Sequence, residues 1–312
     1  MYKRQAVNNK VKISTINEYG ALKSVIVGSV ENMAWPKDDK EFNAGIDRST
    51  YPSTLTRGAI PKRIQLEASE DLERLVQILE NRDIEVYRPL TEQPHWSYSA
   101  RDILLTVGDM VIQCPTPFDS RSNELQLYPF LKDSKTLSAA RPKQASDPSF
   151  DAANVLKVND KLLYSLSHSA NDAGAEWLQQ AVGNQFEVVK WKVVDHDITH
   201  IDSTLLTLNE NTVIVNASRV KEQDLPEFMK DFNKIWIEDV VSRDFHEFPY
   251  ASKWIGMNML SLDPETVLVD EIQIGIKEKL EANNFKVITT PMRQSRTLGG
   301  GFHCVTNDLE RE

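Results

Sequence analysis

The residues Ile103-Leu104-Leu105-Thr106-Val107-Gly108-Asp109-Met110-Val111-Ile112-Gln113 decide the fold. Two apolar runs of strand composition flank a Gly-Asp pair, the signal of a β-hairpin with a two-residue turn. The pattern recurs at 155–164 around Asn159-Asp160, at 204–215 around Asn209-Glu210-Asn211 and at 259–269 around Asp263-Pro264-Glu265. A helix is expected after each hairpin, over 122–132, 172–182, 224–231 and 271–282. Three of these lead to further strands at 187–189, 235–237 and 286–289. Upstream, 22–28 reads as a strand ending at Gly28 and 64–81 as a helix on its apolar spacing. Residues 84–87 read as a strand. Hairpin, helix and strand therefore repeat about four times, with the N-terminal strand and helix as a degenerate fifth unit. A repeated supersecondary unit favours a ring of modules over one open sheet. The expected architecture is α/β, five βαβ-like modules around a pseudo-fivefold axis with function at the centre; an ordinary mixed α/β sheet stands as the alternative. Residues 1–16 read as a polar N-terminal arm, 30–60 as a long loop and 115–149 as a surface excursion, so 1–312 is expected to form one domain.

The 312 residues are 40% hydrophobic and 26% charged, ordinary for a globular protein with a sizeable core. The net charge of -10 argues against nucleic acid as a partner, because phosphate binding needs a basic face. No apolar run approaches the ~20 residues of a membrane helix. The opening Met1-Tyr2-Lys3-Arg4-Gln5 leads into polar residues, and two cysteines make no disulfide framework. A cytoplasmic setting and small-molecule partners are expected.

Polar clusters precede the hairpins: Arg101-Asp102, Phe150-Asp151-Ala152-Ala153-Asn154, His200-Ile201-Asp202 and Ala251-Ser252-Lys253-Trp254. A fifth lies near the C-terminus, Leu298-Gly299-Gly300-Gly301-Phe302-His303-Cys304. At equivalent module positions these would converge on one central pocket. Cys304 reads as a nucleophile if a His and a carboxylate converge on it, and otherwise as a small buried hydrophobe after a glycine turn. His200 can serve as acid and base, Asp151 can orient its imidazole, and two carboxylates facing a thiol suit a guanidinium. Read blandly, Asp102 and Asp151 are turn formers and Arg219 a surface charge. His95, His168, His196 and His246 read as structural or exposed. A metal site from His196, His200 and Asp202 is the remaining alternative, without a third firm ligand.

Three of these stretches, Phe150-Asp151-Ala152-Ala153, His200-Ile201-Asp202-Ser203-Thr204 and Leu298 through Cys304, resemble the signatures of the L-arginine:glycine amidinotransferase family. They are also similar to bacterial enzymes that amidinate lysine, aminocyclitols or toxin precursors. Segments 17–28 and 101–104, and Ser252-Lys253-Trp254 with Met257-Asn258, extend the resemblance over nearly the whole chain. It implies the pentein fold, a five-module α/β propeller. By the same resemblance Cys304 is the nucleophile, His200 the acid and base, and Asp151 its orienting carboxylate. Asp102 and Asp202 would grip the guanidinium of an L-arginine donor, Arg219 its carboxylate and Ser252 its amino-acid end, with Gly301 among the substrate-binding residues. No metal or cofactor is implied, secondary metabolism is the expected setting, and a homodimer is the candidate assembly.

The chain departs from the glycine enzyme at Ala251-Ser252, where that enzyme has two serines, and in the lead-in Asp195-His196-Asp197-Ile198-Thr199. The two aspartates of that lead-in suggest an acceptor with a second cationic amine. The rival readings are an arginine hydrolase of the same fold, with water as acceptor, and a non-catalytic arginine-binding protein.

Overall fold

The computed structural model describes residues 11–36, 58–92, 96–194, 198–242 and 250–312. Among them lie five three-stranded sheets of one design: an antiparallel pair whose inner strand takes a third, parallel strand after a crossover. Leu104–Val107, Met110–Gln113 and Lys135–Ser138 form one. Val155–Val158, Lys161–Ser165 and Glu187–Trp191 form the next. Leu205–Asn209, Thr212–Asn216 and Asn233–Ile237 follow, then Leu260–Asp263, Thr266–Asp270 and Lys286–Thr290. The fifth sheet joins the two ends of the chain. Leu22–Val27 pairs in parallel with Glu85–Tyr87 and antiparallel with Thr306–Arg311. This is the pentein propeller.

The local sequence explains the units. Gly108 and Asn159 both have φ of +58°, the left-handed value that a two-residue hairpin turn requires and that Gly and Asn supply. The inner strands are buried along nearly their whole length, so their Val, Ile and Leu runs do not alternate. Helix Lys62–Glu80 buries Ile64, Ala68, Leu72, Leu75 and Leu79, one face of a 3.6-residue period. Helix Asp172–Val182, at its predicted bounds, begins where the Asn171 side chain accepts from the Gly174 N–H at 2.8 Å.

Four sequence expectations are corrected. Residues 115–149 are not a mere excursion: Lys135–Ser138 is the third strand of its sheet, with Leu137 its single strongly apolar residue and hence no period-2 signal. The helix expected over 122–132 is three short 3-10 turns between Asp119 and Leu131, because Pro129 cannot donate to a continuous helix. Pro226 likewise divides 224–231 into the turns Glu222–Asp224 and Glu227–Met229. The arm is ordered where it is described. Val11, Ile13 and Thr15 are buried, Ser14 N–H donates to Leu309 O at 2.8 Å and Thr15 N–H to Gly108 O at 3.0 Å. Among the described residues no helix is long and apolar enough to cross a membrane.

Candidate active site

Each sheet is preceded by a turn, and the turns carry the polar clusters. Asp151 sits in extended backbone just before the 3-10 turn Ala152–Asn154. His200 holds the same position before Ile201–Ser203, and Ser252 before Lys253–Met257. Asp102 and Cys304 lie in the turns before Leu104–Val107 and Thr306–Arg311. The Asn154 amide donates to Thr199 O at 2.6 Å and so ties the Asp151 turn to the residue before His200.

These turns surround a cavity of about 250 Å³ lined by Asp102, His200, Asp202, Arg219, Ser252 and Cys304. Trp96, Phe118, Tyr250 and Ile255 supply its apolar wall. Asp151 lies behind His200, fully buried, with Oδ2 at 3.1 Å from His200 Nε2. Gly301, expected at the substrate, packs on Asn258 instead; a Cβ there would stand 2.6 Å from Asn258 O. Gly299, at φ +75°, is the glycine that reaches the cavity. Asp195, His196, Asp197, His95 and His246 lie outside the described residues. Among those described, no cluster of His, Cys, Asp and Glu could hold a metal ion.

Cys304 is held at two points by Asn258. Its N–H donates to Asn258 Oδ1 at 2.9 Å, and the Asn258 amide donates to Sγ at 3.1 Å. Sγ also lies 3.1 Å from Asp202 Oδ2. Burial pushes the thiol well above its usual range, Asp202 and Asp102 add to the shift, and the Asn258 amide offsets part of it. The resting group is a thiol awaiting positive charge nearby. On His200, burial disfavours the cation, but Asp102, Asp151 and Asp202 outweigh it and raise the pKa to about 9. The resting imidazole at neutral pH is therefore protonated. With Nε2 on Asp151, Nδ1 is left facing Asp102 Oδ1 at 3.8 Å.

The two carboxylates are less free than the sequence suggests. Asp102 Oδ2 accepts from Arg121 Nη1, which leaves Oδ1 buried without a hydrogen bond. Arg121 also holds Glu124 through Nε at 2.7 Å and Nη2 at 2.9 Å, and donates to Ser99 O at 2.9 Å. Burial raises both acids despite Arg121, Glu124 to about 7. Asp202 Oδ2 accepts from His303 Nδ1 at 3.0 Å as well as facing the thiol. Burial alone would raise Asp202, yet His303, His200 and the thiol hold it well below the carboxylate range.

Arg219 donates to Thr204 Oγ1 at 2.8 Å, Ser203 Oγ at 3.0 Å and Ser252 Oγ at 3.4 Å. Burial lowers its pKa to about 10, and Asp202 offsets part of that. Sequence reading missed Arg121 and Glu124, which lie in the irregular 115–149 region. It also gave no role to Asn258 or His303, although both stand inside the quoted motifs.

A pentein ring with a thiol, an imidazole backed by a carboxylate and two further acids around one central cavity is the architecture of the enzymes that modify guanidino groups. No family model matches the chain. It is 34% identical to inosamine-phosphate amidinotransferase 1 of Streptomyces griseus, over 96% of this chain and 97% of that one. The solved structure of inosamine-phosphate amidinotransferase from that organism superposes with a TM-score of 0.87 at the same identity and coverage. An amidinotransferase of the saxitoxin biosynthetic pathway from Microseira wollei follows at 0.86, with 25% identity and 96% and 97% coverage. The L-arginine:L-lysine amidinotransferase of Pseudomonas savastanoi pv. phaseolicola is 27% identical across 100% of this chain and 98% of its own. The chain belongs to the amidinotransferase family.

Proposed function

We propose that this amidinotransferase takes its amidino group from L-arginine, carries it on Cys304 and passes it to an acceptor amine. The observation that carries the donor is the charge layout of the cavity. Asp102 and Asp202 lie beside the thiol, where a guanidinium would seat, while Arg219 and Ser252 line the same cavity. Among the described residues the hydrogen bonds of Arg219 go to neutral oxygens, which leaves its charge for a carboxylate ligand. An α-amino acid with a guanidinium at its far end matches both groups.

In this reading the bound guanidinium compensates Asp102 and Asp202 and supplies the positive charge that lets the thiol ionise, its proton leaving to solvent because His200 already holds one. Sγ attacks the guanidinium carbon. His200, protonated at rest, gives a proton to the departing nitrogen, and ornithine leaves behind an amidino-thioether. The acceptor amine then binds, loses a proton to His200 and attacks the same carbon, and the thiolate departs. Asp151 keeps the imidazole oriented throughout. Thiol and imidazole supply the nucleophile and the proton, so the reading uses no cofactor. The names of the relatives leave the acceptor open among an inosamine phosphate, lysine and glycine. We read the chain as one domain acting in the cytoplasm, with a homodimer as its candidate assembly. Incubation with arginine and a panel of amines, read by mass, tests the proposal. An amidino adduct on Cys304 and amidinated amine with ornithine are expected; citrulline in place of amidinated amine would make the protein a hydrolase.

A further inference from the structure

His200 is not the only histidine set between two carboxylates. His303, beside the thiol in sequence, is buried, with Nδ1 at 3.0 Å from Asp202 Oδ2 and Nε2 at 3.5 Å from Glu18 Oε2. Among the described residues Nε2 makes no hydrogen bond. Glu18 is itself fixed. Arg101 Nη1 donates to its Oε2 at 3.0 Å, the Lys157 backbone N–H donates to Oε1 at 3.2 Å, and Lys157 Nζ stands 3.6 Å from Oε1. Arg101 continues to His303 O at 2.8 Å and to Asp308 at 2.8 Å, and Arg311 binds Asp308 at 2.7 Å. A charged column thus runs from the first module's Glu18 to the carboxylate under the thiol.

Resting on the function proposed above, we propose that His303, backed by Glu18, is a positioning residue that holds Asp202 ionised and aimed at the donor guanidinium. Two observations and one general argument support more than a packing role. The Asp202 oxygen that takes the His303 hydrogen bond is also the one that faces Cys304 Sγ, so the bond fixes the acid against the reacting thiol. Buried ionic groups cost free energy, and a cluster that served only to join modules could be replaced by apolar packing. The charges are also biased. Arg101, Lys157 and Arg311 outnumber Glu18 and Asp308, which leaves positive potential on the side of His303 away from the cavity.

The groups that face Asp202 are His303, His200, Cys304, Asp102, Arg219 and Arg101, and Glu18 faces His303. Loss of the His303 donor therefore raises the pH at which Asp202 takes a proton.

The test compares His303→Asn, whose amide can stand in for the Nδ1 donor, with His303→Leu, which fills the space without one. Arginine binding is measured by calorimetry across pH in a Cys304→Ala background, so that chemistry does not enter. A hydrogen bond to a charged group is worth roughly 10- to 100-fold in binding. His303→Leu should weaken arginine by about that factor and raise the pH at which Asp202 takes a proton; His303→Asn should stay within a few-fold of the parent. Direct ¹³C titration of the Asp202 carboxyl, assigned with Asp202→Asn, should show the same upward shift in His303→Leu without any ligand. Equal arginine affinity and an unmoved Asp202 titration in a folded His303→Leu protein would overturn the inference. So would a His303→Asn variant as impaired as His303→Leu. Failure of the parent to bind arginine, with the carboxyl shift intact, would count against the donor and not against His303.

Discussion

His200 should make stability depend on pH, and the sign follows from its surroundings. Its pKa rises from 6.5 to about 9 in the folded protein, because Asp102, Asp151 and Asp202 outweigh burial. A group bound more tightly to its proton in the folded state stabilises the fold while it is protonated in both states or charged only when folded. The contribution is therefore complete below pH 6.5 and lost as pH rises through about 9. The shift corresponds to about 3 kcal/mol. Glu124, raised to about 7 mainly by burial, loses its contribution in the same direction but at lower pH. A background is needed to separate the two. We expect urea unfolding between pH 6 and 9.5 to show the wild type losing about 3 kcal/mol more than His200→Gln, which keeps the size of the side chain without the titration. Parallel curves for the two proteins would refute the assignment of a charged resting imidazole.

Cys304→Ala should abolish both the amidino adduct and turnover, a loss on the order of 10⁴-fold or more, checked by intact mass and product assay. Agmatine, which lacks the carboxylate, should be a poor donor for the wild type, and Arg219→Ala should weaken arginine chiefly through KM; equal use of arginine and agmatine would refute that role. Arg121→Ala leaves Asp102 and Glu124 buried without their shared cation, so it should destabilise the protein by about 3–5 kcal/mol in unfolding experiments as well as impair turnover.

The recurring hairpins were legible because their strands are apolar on both faces, and two of their turns carry Gly108 and Asn159 at positive φ. The ring's closure was not. Thr306–Arg311 reads as polar, yet Asn307, Asp308 and Arg311 are buried, paid for by bonds to Leu104 O, Arg101 and Gly20 O that no local pattern announces. Arg121 was hidden for a related reason. It lies in short 3-10 turns without periodicity, and its importance comes from reaching Asp102 and Glu124 at once. The convergence of Asp102, Asp202, His200 and Cys304 on one cavity was legible because each sits in a turn just ahead of a strand, a place the repeat itself marks. For Gly301, a glycine run signals close approach without saying to what. Here the approach is to Asn258, the residue that holds the thiol.

The topology adds a reason for Cys304 to stand where it does. The turn that bears it leads straight into Thr306–Arg311, and that strand pairs with Leu22–Val27 of the first module. Arg101 N–H then donates to Cys304 O at 3.1 Å, and Arg101 Nε donates to His303 O. Glu18, just before the first strand Leu22–Val27, reaches His303 only in this closed arrangement. The thiol, its acid partner Asp202 and the column behind them therefore come together only when the chain's two ends share a sheet. Opening that seam, for example by Val25→Pro at a fully buried position of strand Leu22–Val27, should cost alkylation protection at Cys304 together with the fold, since a proline removes a ladder donor and sterically breaks the pairing. Protection retained after the seam is broken would mean that the turn holds the thiol by itself.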